Sequence, residues 1–264
     1  MRHASLGLSA ALVVSTFCSL VPVPVSAQAQ DVQACNVPVN LARFDKPLNR
    51  TGQRLAAHLP VTIVAVGSSS TAGAFASSSA ASYPSRLEAE LRQRFPGATI
   101  TVLNRGANGE EAAEMLARLD KVLAENPDLI LWQVGTNAVL RDHNIDTSAA
   151  LIREGVERMK ASGADVVLID PQFAPKVLAK PDAQHMVELI GATAKAENVD
   201  LFHRFAVMRH WLETEHIGFE TFLSPDGLHM NDWSYGCVAK VLAVAIEEAA
   251  TRATSVAGAG APHY

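Results

Sequence analysis

Ser224-Pro225-Asp226-Gly227-Leu228-His229-Met230 is the segment richest in possible chemistry. A three-residue spacing in a turn puts Asp226 and His229 on one side of the backbone, where the carboxylate can hold one imidazole nitrogen and leave the other free to move a proton. Of the nine histidines, His229 combines a carboxylate three residues upstream with a loop setting. A base of this kind serves a nucleophile, and Gly67-Ser68-Ser69-Ser70-Thr71-Ala72-Gly73 offers hydroxyls. By itself that stretch is either a Ser/Gly turn or a nucleophile loop, because Thr71 occupies the place of the second glycine in a G-x-S-x-G elbow. It lacks the Gly-Lys-Ser/Thr of a phosphate loop and the G-x-G-x-x-G of a dinucleotide site. Asn104-Arg105-Gly106-Ala107-Asn108-Gly109-Glu110 leads toward a helix, so it is either plain loop geometry or a source of backbone N–H groups for a developing negative charge. Gly135-Thr136-Asn137 is either a helix cap or an asparagine amide donor.

These segments act together only if a fold brings them to one place. From residue 60 onward short apolar runs alternate with amphipathic stretches, the pattern of strands and crossover helices in a parallel sheet. Strands are expected over residues 61–66, 99–103, 129–134, 166–169 and 201–205, the first apolar and β-branched enough to be buried on both faces. Helices are expected over 84–95, where Leu87, Leu91 and Phe95 recur at four-residue spacing, and over 110–125, with Met115, Leu116, Leu119, Val122 and Leu123 on one face. Others follow at 149–161, 184–196 and 232–251. The result is a three-layer α/β/α doubly wound domain with a flavodoxin-like five-stranded parallel sheet. Such sheets bind ligands at the carboxyl ends of their strands, where residues 67–73, 104–110 and 135–137 fall. The serine-rich stretch 77–82 reads as a solvated loop without chemistry.

Composition bounds what the domain can be. At 264 residues, 48% hydrophobic and 19% charged, the chain can bury one substantial core. A net charge of −5 without any Lys/Arg cluster lacks the electrostatic footprint of a nucleic-acid binder. Arg2 and His3 precede an apolar run over 6–25 that ends in Val25-Ser26-Ala27 and Ala27-Gln28-Ala29, A-x-A-like sites. This predicts a secretory signal peptide at 1–27, cut after Ala27 or Ala29, leaving no stable membrane anchor. Phe17 before Cys18 rejects a lipid-modification site. Export to an oxidising compartment makes Cys35 and Cys237 a disulfide candidate, the alternative being two buried thiols. The expected organisation is a signal peptide at 1–27, an N-terminal extension at 28–59, the α/β domain at 60–253 and a flexible tail at 254–264.

Taken in order, the four segments resemble the blocks of the GDSL-type esterase and lipase family, the SGNH hydrolases, over about residues 60–250. The resemblance maps Ser69 onto the family nucleophile, Gly109 onto a backbone donor, Asn137 onto a side-chain donor, and Asp226 and His229 onto the acid and base of the triad. Ser68 and Ser70 stand where the name motif has Asp and Leu, and Ala138 replaces an Asp that often follows the third-block Asn. The implied activity is a carboxylic ester hydrolase with a Ser69, His229, Asp226 triad and an oxyanion hole from Ser69, Gly109 and Asn137. No cofactor or metal is called for. The implied partner is a small-molecule or carbohydrate ester, a glycan acetate included, met in the periplasm or outside the cell. A periplasmic O-acyltransferase with the same triad and a non-catalytic glycan-binding module are the alternatives. Residues 172–182, with Phe173, Pro175, Val177 and Pro181, and 210–223, with Trp211, Phe219 and Phe222, either flank the cleft or pack under long loops.

Overall fold

The computed structural model describes Met1 and residues 35–259. The expected signal peptide, its cleavage sites and Cys18 lie outside the described residues apart from Met1, as do residues 260–264 of the expected tail. Among the described residues five strands, β1 (Val61–Gly67), β2 (Ile100–Gly106), β3 (Leu129–Gln133), β4 (Asp165–Ile169) and β5 (Asp200–Phe202), form one sheet in the order β2-β1-β3-β4-β5. Every pairing is parallel, with Gly67 opposite Gly106 and Val66 opposite Trp132. Val64, Ala65, Val66, Leu129, Ile130, Leu131 and Trp132 are closed to solvent, as a parallel sheet covered on both faces requires. The strand order reverses between β1 and β3, which opens a crevice at their carboxyl ends.

Helices α1 (Asn49–Ala56), α2 (Tyr83–Arg94), α3 (Ala112–Ala117), α4 (Ile145–Ala161), α5 (Ala183–Ala196), α6 (Arg204–Glu213) and α7 (Asp232–Ala259) supply the outer layers. α7 packs with α1 and α2, while α4 packs with α3 and α5. The apolar spacing explains which sides turn inward: Leu87 and Leu91 of α2, Ile152, Val156 and Met159 of α4, and Met186 and Ile190 of α5 are all buried. Residues 35–59, read from sequence as an extension, place Phe44 and Leu48 in the same core. Cys35 and Cys237 are joined by a disulfide, with Cα atoms 5.2 Å apart, which ties the start of this unit to α7. Among the described residues no helix is long and apolar enough to cross a membrane.

Several boundaries differ from the sequence expectation, each for a local reason. The helix expected over 110–125 breaks at Arg118 into α3 and the short helix Leu119–Leu123. The Arg118 guanidinium is drawn aside to Glu110 Oε2 at 2.8 Å and to the Arg105 carbonyl at 2.8 Å. α4 begins at Ile145 rather than 149 because the Asn144 side chain caps it, accepting from the Thr147 N–H at 2.9 Å. β5 stops at Phe202 and α6 follows, since the Phe205 N–H turns to Asp170 Oδ1 at 2.8 Å. α7 runs to Ala259, past residue 251 and into the expected tail, carried by an alanine-rich sequence of high helix propensity.

Candidate active site

β1 ends at Gly67, and the chain turns at Ser68 into the single helical turn Ser69–Ala72. This turn sits directly on β2: a Cβ at Gly106 would lie 2.1 Å from the Ala72 nitrogen, so only glycine fits there. Gln133 at the end of β3 pins the turn from beneath. Its Oε1 accepts from the Ser68 N–H and the Ser68 hydroxyl, both at 3.0 Å, and from Thr71 Oγ1 at 3.3 Å. The Tyr83 hydroxyl lies 3.3 Å from the same Thr71 oxygen. Burial pushes the Tyr83 phenol up to about 12, against the opposing pull of Thr71 and the Arg204 charge. The three adjacent serines are sorted by this packing. Ser68 and Ser70 are buried, and Ser70 Oγ has no partner among the described residues. Ser69 stays partly open, with its Oγ 2.8 Å from His229 Nε2.

The loop that carries His229 is closed at its base. Leu223 and Met230 form an antiparallel bridge, the Ser224 N–H donates to the His229 carbonyl at 2.8 Å, and Ser224 Oγ donates to the Met230 carbonyl at 3.1 Å. Inside the loop Asp226 Oδ1 accepts from the N–H groups of Leu228 and His229, each at 3.0 Å. The main chain thereby aims Oδ2 at His229 Nδ1, 2.6 Å away. Burial pushes the Asp226 carboxyl up, but the hydrogen bonds from the His229 ring and the two N–H groups outweigh it and hold the group below its ordinary value. An ionised carboxylate on Nδ1 leaves the Nε2 lone pair facing Ser69.

The other residues expected at the site, Gly109 and Asn137, stand at the ends of the neighbouring strands. Gly109 has φ +78°, a conformation that side chains with a Cβ rarely adopt. Arg141 holds the Gly109 carbonyl at 2.9 Å and pairs with Glu111, which fixes the loop from its outer side. The N–H groups of Gly109 and Ser69 make no hydrogen bond among the described residues. Asn137 lies on the turn Thr136–Leu140 after β3 and donates from Nδ2 to the Glu110 carbonyl at 2.9 Å. Its second amide hydrogen has no partner among the described residues. Loops after β1, β2 and β3 thus deliver Ser69, Gly109 and Asn137 to the sheet edge where the strand order reverses.

Beneath this surface lies a polar layer that the sequence did not reveal. Arg204 is 1% exposed and makes no ion pair among the described residues. Its Nε donates to the Asp170 carbonyl and its Nη2 to Gln172 Oε1, both at 3.0 Å. Gln172 in turn accepts from Thr136 Oγ1 at 3.0 Å and donates to the Leu228 carbonyl at 3.3 Å, one residue before His229. A buried guanidinium is thus connected through one amide to the histidine loop. Burial draws Arg204 down to about 10 and pushes Asp170 up to about 7. Of the residues expected to flank the cleft or pack under loops, Phe173, Val177, Trp211 and Phe222 are buried, Phe219 is half-buried, and Pro175 and Pro181 are exposed. Trp211 meets Phe222 at 5.7 Å, and Phe219 lies against Phe173 at 6.0 Å. The aromatic ring that does border the site is Phe75, stacked on His229 at 5.2 Å.

A model of the non-GDSL lipase-like family matches residues 34–252. The chain belongs to this family. The Ser68 and Ser70 departures from the G-D-S-L spelling fit that description. This non-GDSL lipase-like protein is 32% identical over 95 residues to an arylesterase of Vibrio mimicus, a match covering 36% of this chain and 46% of the relative. It therefore spans less than half the length of the curated relative that it matches. Among solved structures it resembles TesA, with a TM-score of 0.59 and 23% identity over 69% of this chain and 95% of the other. A mutant of Axe2, an acetyl-xylooligosaccharide esterase from a Geobacillus, superposes with a TM-score of 0.62 and 20% identity over 70% of this chain and 94% of that one. A two-domain esterase active on acetylated mannans gives 0.65 and 22% over 80% of this chain and 56% of its own. At these identities the structural likenesses establish the shared fold.

Proposed function

We propose that this non-GDSL lipase-like protein is a carboxylic ester hydrolase that works through an acyl-enzyme on Ser69. A serine hydroxyl is a poor nucleophile at neutral pH, so it needs a base within reach and donors for the oxyanion that its attack creates. One observation carries the reading: the His229 imidazole spans Ser69 Oγ at 2.8 Å and Asp226 Oδ2 at 2.6 Å. His229 Nε2 takes the hydroxyl proton as Ser69 Oγ bonds to the carbonyl carbon, and Asp226 stabilises the imidazolium. The Ser69 and Gly109 N–H groups and the Asn137 amide hold the oxyanion. His229 then gives its proton to the alcohol oxygen as the C–O bond breaks. Water attacks the acyl-enzyme, passes a proton to His229, and releases the carboxylic acid while Ser69 is reprotonated.

Esters of short acyl groups, carbohydrate acetates among them, are the substrates we propose, supported by the likeness to an arylesterase and to esterases of acetylated xylooligosaccharides and mannans. Water is the acceptor, because a competing alcohol must be bound and oriented against about 55 M water. We place the protein in the periplasm or outside the cell, a reading supported by the Cys35–Cys237 bond. The test is labelling by a fluorophosphonate together with hydrolysis of 4-nitrophenyl acetate. Ser69→Ala should abolish both, and Ser70→Ala should still be labelled. Labelling that persists in Ser69→Ala overturns the assignment.

A further inference from the structure

Among the described phenylalanines, tyrosines and tryptophans Phe75 is the one that is exposed, at 57% exposure. Its backbone is left-handed, φ +64°, a conformation that a bulky residue keeps only where the surroundings enforce it. Here they do so on both sides. The Ala74 N–H bonds the Ser69 carbonyl at 2.9 Å, and the Ala74 carbonyl accepts from the Tyr235 hydroxyl at 2.7 Å. The Ala76 N–H reaches the Gly73 carbonyl at 3.0 Å, and Ser77 donates its N–H and hydroxyl to the two Asp232 carboxylate oxygens at 2.8 and 2.5 Å. The Phe75 ring is therefore held in place, its centroid 5.2 Å from that of His229 with 26° between the planes.

A residue whose only task was to steady the imidazole would not need to remain more than half in water. Asp226 and the closed 223–230 loop already orient His229. His229 Nε2 must hand its proton to the departing alcohol oxygen, so the alcohol passes the imidazole as the C–O bond breaks, while the acyl group stays on Ser69. An open aromatic face beside the imidazole borders the alcohol's path. We propose that Phe75 is the platform on which the alcohol part of the ester rests, and that the site favours alcohols presenting a flat face, an aryl ring or the apolar face of a pyranose. This inference rests on the ester-hydrolase reading above and adds the leaving-group preference.

The test holds the acyl group constant and varies the alcohol: phenyl acetate, an acetylated methyl xylopyranoside, and ethyl acetate, which has no flat face. Loss of a stacking contact should cost Phe75→Ala and Phe75→Leu about 3- to 10-fold in kcat/KM on the flat alcohols, about 0.65–1.4 kcal/mol, and no more than about twofold on ethyl acetate, while Phe75→Trp should hold the wild-type preference. Phe75→Leu keeps apolar bulk, so it remains informative if the alanine variant folds poorly. All three esters give the same acetyl-enzyme, whose hydrolysis, followed by rapid quench after loading with 4-nitrophenyl acetate, does not involve the alcohol. That step should proceed at the wild-type rate in Phe75→Leu. Loss on the aryl ester alone or on the sugar ester alone supports the platform and identifies its occupant. Equal loss on all three esters, or slowed deacylation, overturns it and makes Phe75 a support for His229. Wild-type protein that hydrolyses none of the esters and takes no label at Ser69 would instead remove the hydrolase reading itself.

Discussion

Asp226→Asn keeps the size and shape of the side chain and changes the chemistry of one atom. Oδ1 is committed to the N–H groups of Leu228 and His229 at 3.0 Å each, so the asparagine places its carbonyl oxygen there and turns its NH2 toward His229 Nδ1, 2.6 Å from Oδ2 in the wild type. An NH2 group can only donate, which forces Nδ1 to accept and moves the ring proton to Nε2. Nε2 lies 2.8 Å from Ser69 Oγ, and once protonated it can no longer take the hydroxyl proton. In a serine triad this wrong tautomer lowers kcat by about 10⁴-fold, roughly 5 kcal/mol of barrier, and we expect a loss of that order here. The wild-type carboxyl is held below its ordinary value because hydrogen bonds outweigh the upward push of burial. Asp226 thus stays charged as the pH falls toward the usual carboxylate range, and the deficit should persist from about pH 8 down to about pH 5. Initial rates on 4-nitrophenyl acetate across that range, with circular dichroism to verify the fold, measure it. A well-folded variant that retains more than about a tenth of wild-type kcat would refute the tautomer argument.

Asn137→Ala removes a donor that is proposed to serve the oxyanion more than the ground-state carbonyl, so kcat should fall about 10²- to 10³-fold with a much smaller change in KM. An unchanged kcat would take Asn137 out of the site. The Cys35–Cys237 bond closes a loop of 202 residues, for which the chain-entropy account gives a stabilisation of up to about 5 kcal/mol, comparable with the whole stability of many domains. Urea unfolding with and without reductant should show a marked drop in midpoint on reduction, and coincident curves would contradict it.

Much of the architecture was legible because it is periodic. Leu87 and Leu91, or Ile152 and Val156, announce an inward face by spacing alone, and unbroken apolar runs such as residues 129–132 announce strands covered on both sides. The rule for doubly wound sheets then directs attention to the strand ends, where the serine turn, Gly109 and Asn137 stand. Apart from the end of α7, the boundaries that differ lie beside a side chain with a specific partner. The helix expected over 110–125 breaks at Arg118, whose side chain reaches back to Glu110, and Asp170 captures the Phe205 N–H where β5 ends. Phe75 escaped notice because an isolated aromatic in a small-residue loop has no periodic signature.

From the sequence alone came the fold class, the order of the strand-end segments, and the Asp226–His229 pair three residues apart, since each depends on residues close along the chain. Which of three adjacent serines faces that histidine had to be borrowed from a family resemblance. Its physical cause is tertiary: Gln133, 65 residues beyond Ser68, holds Ser68 down and so leaves Ser69 up. Arg204, which falls in the strand expected over 201–205, likewise gives no sign of its burial until Gln172 and the Asp170 carbonyl, more than 30 residues away, enclose it. Hydrophobic periodicity reports the average burial of a face. The burial of one polar group depends on whether particular distant partners repay its desolvation, and only the assembled structure brings those partners into contact.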